Sequence, residues 1–91
     1  MDIEFDPEKR DWTLRKRGLD MAKAEAIFTG FTMSREDNRE DYGEIRVVTI
    51  GRLTRRKIVV CVWTERAGRR RIISLREAEP DEREIYLFQA P

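Results

Sequence analysis

The chain has 91 residues, with 19 Lys and Arg against 18 Asp and Glu, a net charge of +1, and 40% hydrophobic residues. That length suits one small domain over residues 1–91 with a thin core, and two Trp, four Phe and ordered apolar runs exclude a disordered chain. The lack of histidine excludes Ser-His-Asp triads, Cys-His pairs and His-ligated metals, and the single cysteine excludes an internal disulfide and leaves no basis for structural zinc, so no metal or cofactor is expected.

In chain order, Ile3 and Phe5 alternate with acidic residues as a half-buried strand does. Asp6-Pro7-Glu8 opens a helix, with Asp6 as cap and Pro7 in the first turn, and Gly18 closes it after Arg17. Asp20 caps a second helix from Met21 to about Phe28, and Thr29-Gly30 stops it. Phe31 to Met33 reads as a brief strand, and residues 34–43 as an exposed loop, because they are charged and aperiodic. Three Val- and Ile-rich strands follow at 44–51, 57–64 and 70–76, joined by hairpins. Glu79-Pro80 opens a last helix with Ile85, Leu87 and Phe88 on its apolar side. The expected fold is α+β, with a twisted antiparallel sheet of about four strands, two N-terminal helices and one C-terminal helix on one face. The acidic start lacks an apolar h-region, and no stretch is long enough to span a bilayer. The chain therefore reads as cytoplasmic, with no membrane partner and a buried, reduced Cys61.

The near-neutral total hides strong polarity. Residues 45–76 hold ten basic side chains and one acid, Glu65, while both flanking segments are net acidic. Nine of the ten are arginine, whose planar fork matches phosphate oxygens, so the expected partner is a polyanion, with RNA the first choice. Strand alternation places Arg70, Ser74 and Arg76 on an open face, and aligned strand ends would bring Arg46, Arg66 and Arg76 together there. Trp12 and Trp63 could stack on bases, although core packing is the commoner use of such residues. A non-catalytic nucleic-acid-binding or protein-interaction module remains the alternative on these features alone.

Several motifs in fixed order resemble the BrnT family: FDPEK near the start, the block Arg39, Asp41, Tyr42, Gly43, Glu44, Arg46, then Gly51, VWTER at 62–66 and RIISLREA at 71–78, followed by Glu82 and Tyr86. The resemblance covers about Phe5 to Tyr86. It implies a toxin of a bacterial type II toxin–antitoxin pair, with a fold similar to RelE-type ribonucleases, that cuts RNA and blocks translation. The partners it implies are RNA, on the ribosome or free, and a BrnA-like ribbon-helix-helix antitoxin through which alone DNA is contacted. Many relatives carry Asn and Lys-His-Gly along the first helix, where this chain has Thr13 and Lys16-Arg17-Gly18, so a histidine cannot take part.

Metal-free cleavage then needs a charge clamp on the phosphorane and a base for the 2′-hydroxyl. Residue type assigns the clamp to Arg66 and Arg76, with Arg46 third, and the base to Glu65, Glu44 or Lys9. RNA contacts are expected from Arg52, Arg55, Arg56, Lys57, Arg70, Arg71, Ser74 and Tyr86, the last also a candidate acid.

Overall fold

The computed structural model describes all 91 residues. Local signals set the first helix as expected. In α1 (Pro7–Arg17) the Asp6 carboxylate accepts from the Glu8 amide at 2.9 Å. Gly18 adopts a left-handed φ of 69° and donates to the Leu14 carbonyl at 3.0 Å. The second helical segment, Met21–Thr29, is a 3₁₀ helix rather than an α-helix. Its buried residues are Met21, Ala24 and Ile27, spaced by three, and a repeat of three residues per turn stacks them on one line against the sheet. Asp20 caps it through the Ala22 amide and takes the Arg10 guanidinium in a two-pronged pair at 2.9 and 3.0 Å.

The sheet has five strands rather than four: β1 (Ile3–Phe5), β2 (Met33–Glu36), β3 (Arg46–Arg52), β4 (Ile58–Arg66) and β5 (Arg69–Glu77), in the order β1-β5-β4-β3-β2. It is mixed, because β1 pairs in parallel with β5 over Ile3↔Arg70 to Phe5↔Ile72, while the other ladders are antiparallel. Strand β2 takes Ser34–Glu36 out of the segment expected to be a loop. Helix α2 (Pro80–Gln89) opens with the Glu79 amide donating to the Glu82 carboxylate at 2.8 Å. No helix is long and apolar enough to cross a membrane.

The helices do not share one face. The 3₁₀ helix covers the face built from Val59, Cys61, Ile72 and Leu75, closing the main core with Leu19 and Leu53. Helix α2 packs on the opposite face, where Tyr86 is 2% exposed and its hydroxyl donates to the Phe31 carbonyl at 2.8 Å. Helix α1 lies along the stretch of β5 that β1 leaves unpaired, and Arg17 donates there to the Leu75 carbonyl at 2.9 Å. Burying a strand on both faces suits the near-continuous apolar run Ile58–Cys61, all four of which are buried.

One irregularity decides where the arginines go. The ladder between β4 and β5 shifts at Val62/Trp63: Val62 pairs with Ser74 but Trp63 with Ile72, so Ile73 is the extra residue of a β-bulge. Ile72 and Leu75 therefore both point into the core, at 1% and 0% exposure, where simple alternation would have paired Ile73 with Leu75.

Candidate active site on the arginine face

The α2 face of the sheet carries Arg46 and Arg52 on β3, Thr64 and Arg66 on β4, and Arg69, Arg71, Ser74 and Arg76 on β5. At the end where β3 begins and β4 finishes, six side chains form one chain of contacts. Asp37, whose side chain is 1% exposed, accepts from Arg39 at 2.7 and 2.8 Å and from the Tyr42 hydroxyl at 3.3 Å. The Tyr42 ring lies 4.0 Å beneath the Arg46 guanidinium. Arg46 in turn pairs with Glu44 at 3.2 Å, and the other oxygen of Glu44 meets Arg66, also at 3.2 Å. The Arg39 guanidinium holds the Asp37 carboxyl far below the usual range. Arg66, then Arg46, likewise lower that of Glu44 by donating to its charged form. Half of Arg66 remains exposed, with its side chain at 51%, so an anion can reach it from solvent.

The far end of the same face is organised differently. Arg76 forms a two-pronged pair with Glu82 of α2 at 2.7 and 2.9 Å, which drops the Glu82 pKa to about 2. Arg52 lies over the Tyr86 ring at 5.8 Å and donates to the Arg55 carbonyl. Between the two ends runs a cleft of about 360 Å³ whose walls include Met33, Arg35, Val48, Ile50 and Ile85.

These positions revise several sequence-based expectations. Arg46 and Arg66 do come together, but Arg76 does not join them: it pairs with Val60, six positions along β4 from Arg66, or roughly 20 Å at the rise of a strand. Glu65 pairs with Arg70 in register and so projects toward the 3₁₀-helix face, away from Arg46 and Arg66. Arg70 is displaced by the bulge to that same face, where its guanidinium sits 3.6 Å from the Phe28 ring centre and 4.4 Å from that of Trp63. Lys9 lines a separate cleft with Trp12, Arg17 and Ser74, between α1 and β5. Tyr86 is committed to the core and to Phe31, so its hydroxyl is not open to a substrate. Arg55, Arg56 and Lys57 lie in the β3–β4 connection, the first two exposed, and Arg71 pairs with Glu4 at 2.8 Å. Cys61 is fully buried, and burial pushes its thiol up to about 12, so it is inert packing. Arg39 and Tyr42 stand in the motif block at 39–46, but nothing in the sequence singles out Asp37, the residue that ties them together, from the other acids of a charged segment.

The depressed carboxyls couple stability to pH. Asp20, at about 2 beside Arg10, Glu82 at about 2 beside Arg76, and Asp37 lower still each bind protons more weakly folded than unfolded. Their contribution is therefore complete above the unfolded values near 4 and is lost as pH falls toward 2. Thermal melts followed by circular dichroism should give a nearly level Tm from neutrality to about pH 4.5, then a steep fall down to about pH 2. A Tm unchanged across that acid window would contradict these pairings.

Comparison with known proteins agrees with this architecture. The sequence matches, over residues 5–82, the profile of a family described as the ribonuclease toxin, BrnT, of type II toxin–antitoxin systems. The fold is similar to the 1.1 Å crystal structure of the Brucella abortus ribonuclease toxin BrnT. The TM-score is 0.66 and the identity 23%, and the match covers 87% of this chain and 97% of that one. No curated sequence matches the chain closely.

Proposed function

We propose, for a chain that belongs to the BrnT ribonuclease toxin family of type II toxin–antitoxin systems, that it cuts RNA at the Arg46–Glu44–Arg66 cluster without a metal ion. The observation carrying this reading is one carboxylate gripped by two arginines at the accessible end of the sheet, each contact at 3.2 Å. An arriving phosphate competes with Glu44 for both guanidinium groups. As they transfer to the phosphate oxygens, the carboxylate loses the partners that held its proton affinity down, and it becomes a better base when one is needed. The 2′-hydroxyl gives its proton to Glu44 and its oxygen attacks the adjacent phosphorus. The bond to the 5′ oxygen breaks, and that oxygen takes a proton from water, leaving a 2′,3′-cyclic phosphate. Arg46 and Arg66 stabilise the charge that builds on the phosphorane, and Tyr42, tied to Asp37, fixes the plane of Arg46.

Arg52, Arg55, Arg56, Lys57 and Arg71 extend the positive surface along which the strand lies, adding affinity through displaced counter-ions, and Ser74 adds a neutral hydroxyl that can hydrogen-bond a phosphate. The metal-free reading rests on the arginine pair, whose two fixed positive charges can stabilise a phosphorane without a cation. In the cell the expected consequence is translation arrest in the cytoplasm, relieved by a BrnA-like ribbon-helix-helix antitoxin that also provides the contact with DNA. The test is incubation of antitoxin-free protein with end-labelled, ribosome-free RNA in the presence of a chelator. Fragments ending in 2′,3′-cyclic phosphate are expected. Cleavage that the chelator stops would refute the metal-free mechanism, and salt-sensitive binding without fragments would mark a nucleic-acid-binding module instead.

A further inference from the structure

Trp63 is held in place yet left partly open to solvent. Its indole N–H donates to the Thr49 hydroxyl at 2.9 Å, the Phe28 ring stands nearly perpendicular to it with centroids 5.7 Å apart, and the Arg70 guanidinium covers one face of it at 4.4 Å, leaving a base the other. The ring lines a cleft of about 500 Å³ with Glu44, Ile45, Val47, Thr64 and Glu65. The Thr64 hydroxyl donates to the Ile45 carbonyl at 2.7 Å and fixes that wall, while Ile45 as a residue stands 67% exposed. Glu65 makes no ion pair, so its carboxylate at the rim is available to accept. Glu44 belongs both to this cleft and to the arginine clamp, so the cleft, on the 3₁₀-helix side of the sheet, meets the clamp on the other side at the strand ends, where a nucleotide can reach round from one to the other.

We infer that this cleft takes a nucleobase of the RNA strand held by Arg46 and Arg66, stacked on Trp63 between apolar walls and read at its donor edge by Glu65. This inference rests on the ribonuclease reading and adds a specificity site to it. Every base has a face that an indole can stack on, so stacking alone is indifferent to sequence. The carboxylate supplies the choice: it only accepts, and guanine presents two adjacent N–H donors to its two oxygens. Uracil presents a single N–H between two carbonyls, which the carboxylate repels. The expected preference is for guanosine next to the cleaved bond.

The experiment uses fluorescein-labelled 2′-O-methyl octanucleotides, which lack the attacking hydroxyl and stay intact. One is all uridine and the other carries a central guanosine; binding is read by anisotropy. Trp63 emission is read in the Trp12→Phe protein. Guanosine should tighten binding by about tenfold, the scale of one good base-edge contact, and should quench Trp63. Ile45→Glu and Glu65→Gln, both at exposed positions where folding is not at stake, should remove the preference and keep the slope of affinity against salt. Equal affinity for the two oligomers, with Trp63 unquenched, overturns the base cleft and leaves the phosphate clamp standing. No salt-dependent binding of either oligomer overturns both.

Discussion

Arg66→Ala should lower the rate of RNA cleavage by about 10²–10³-fold, the usual cost of removing one charge-stabilising donor from a reacting centre. Glu44→Gln should lower it by about 10²–10⁴-fold, since the amide keeps the shape and some hydrogen bonding but cannot take the 2′-hydroxyl proton. The two side chains touch at 3.2 Å, so the double variant should lose much less than the product of the single losses. Stability should change little in either, because both act at a surface ion pair whose net worth is about 0–1 kcal/mol. Single-turnover cleavage of end-labelled RNA beside thermal melts separates the two effects. The pH profile gives a further check. Glu44 must be ionised to act, and in the free protein its arginine neighbours hold its pKa below the ordinary glutamate range, so kcat/KM should survive mild acid and decline only below that range. Arg55→Ala is the control: Arg55 carries the same charge in the exposed β3–β4 connection, away from Glu44. If it costs as much as Arg66→Ala, the clamp is a diffuse surface effect and the assignment to Arg66 is wrong.

The parts of this molecule that short-range chemistry determines were legible from the residues. Asp6, Pro7 and Gly18 bound α1 because capping and left-handed closure are local events, and the β3, β4 and β5 strands follow from unbroken Val and Ile. What failed to show depends on partners distant in sequence. Strand β1 has three residues, and its parallel partner begins at Arg70, so nothing nearby reveals its direction. The bulge at Ile73 leaves no trace in composition, yet it inverts the facing of every residue on its N-terminal side in β5. That is why Arg70 ends on the aromatic pair Phe28 and Trp63 instead of the open face. The same limit applies to the acids. Glu44 and Glu65 are equivalent as letters; register puts only Glu44 beside two arginines and leaves Glu65 free at the rim of the neighbouring cleft. Of the three arginines expected to converge, the two that meet are drawn together by Glu44, while the third is taken by Glu82 of α2.

Gly51→Val should destabilise the fold strongly, although strand propensity argues the other way. Gly in a strand interior costs roughly 0.5–1 kcal/mol relative to Ala, and Val is among the best strand formers, so at an open position this substitution would stabilise. Here β3 and the 3₁₀ helix approach too closely. A Cβ on Gly51 would lie 2.7 Å from the Ile27 Cγ2 and 3.2 Å from both the Ile27 carbonyl oxygen and the Thr32 methyl. Ile27 is fully buried and β-branched, so its methyl has no free rotamer to move into, and the carbonyl belongs to the helix backbone. Overpacking of this kind costs about 1–3 kcal/mol for modest intrusions, and the two further methyls of Val extend the clash. The steric cost exceeds the propensity gain, and at about 4–8 °C per kcal/mol for a domain of this size the melting temperature should fall by roughly 10–20 °C. Gly51→Ala should show the same sign with a smaller drop. Ile27→Ala alone should destabilise by opening a cavity, but combined with Gly51→Val it removes the obstructing methyl, so the pair should be more stable than the sum of the single changes. Melting temperatures for the four proteins of that cycle decide the matter: a Gly51→Val chain that melts at or above the parent temperature would mean the helix can retreat from β3 without cost.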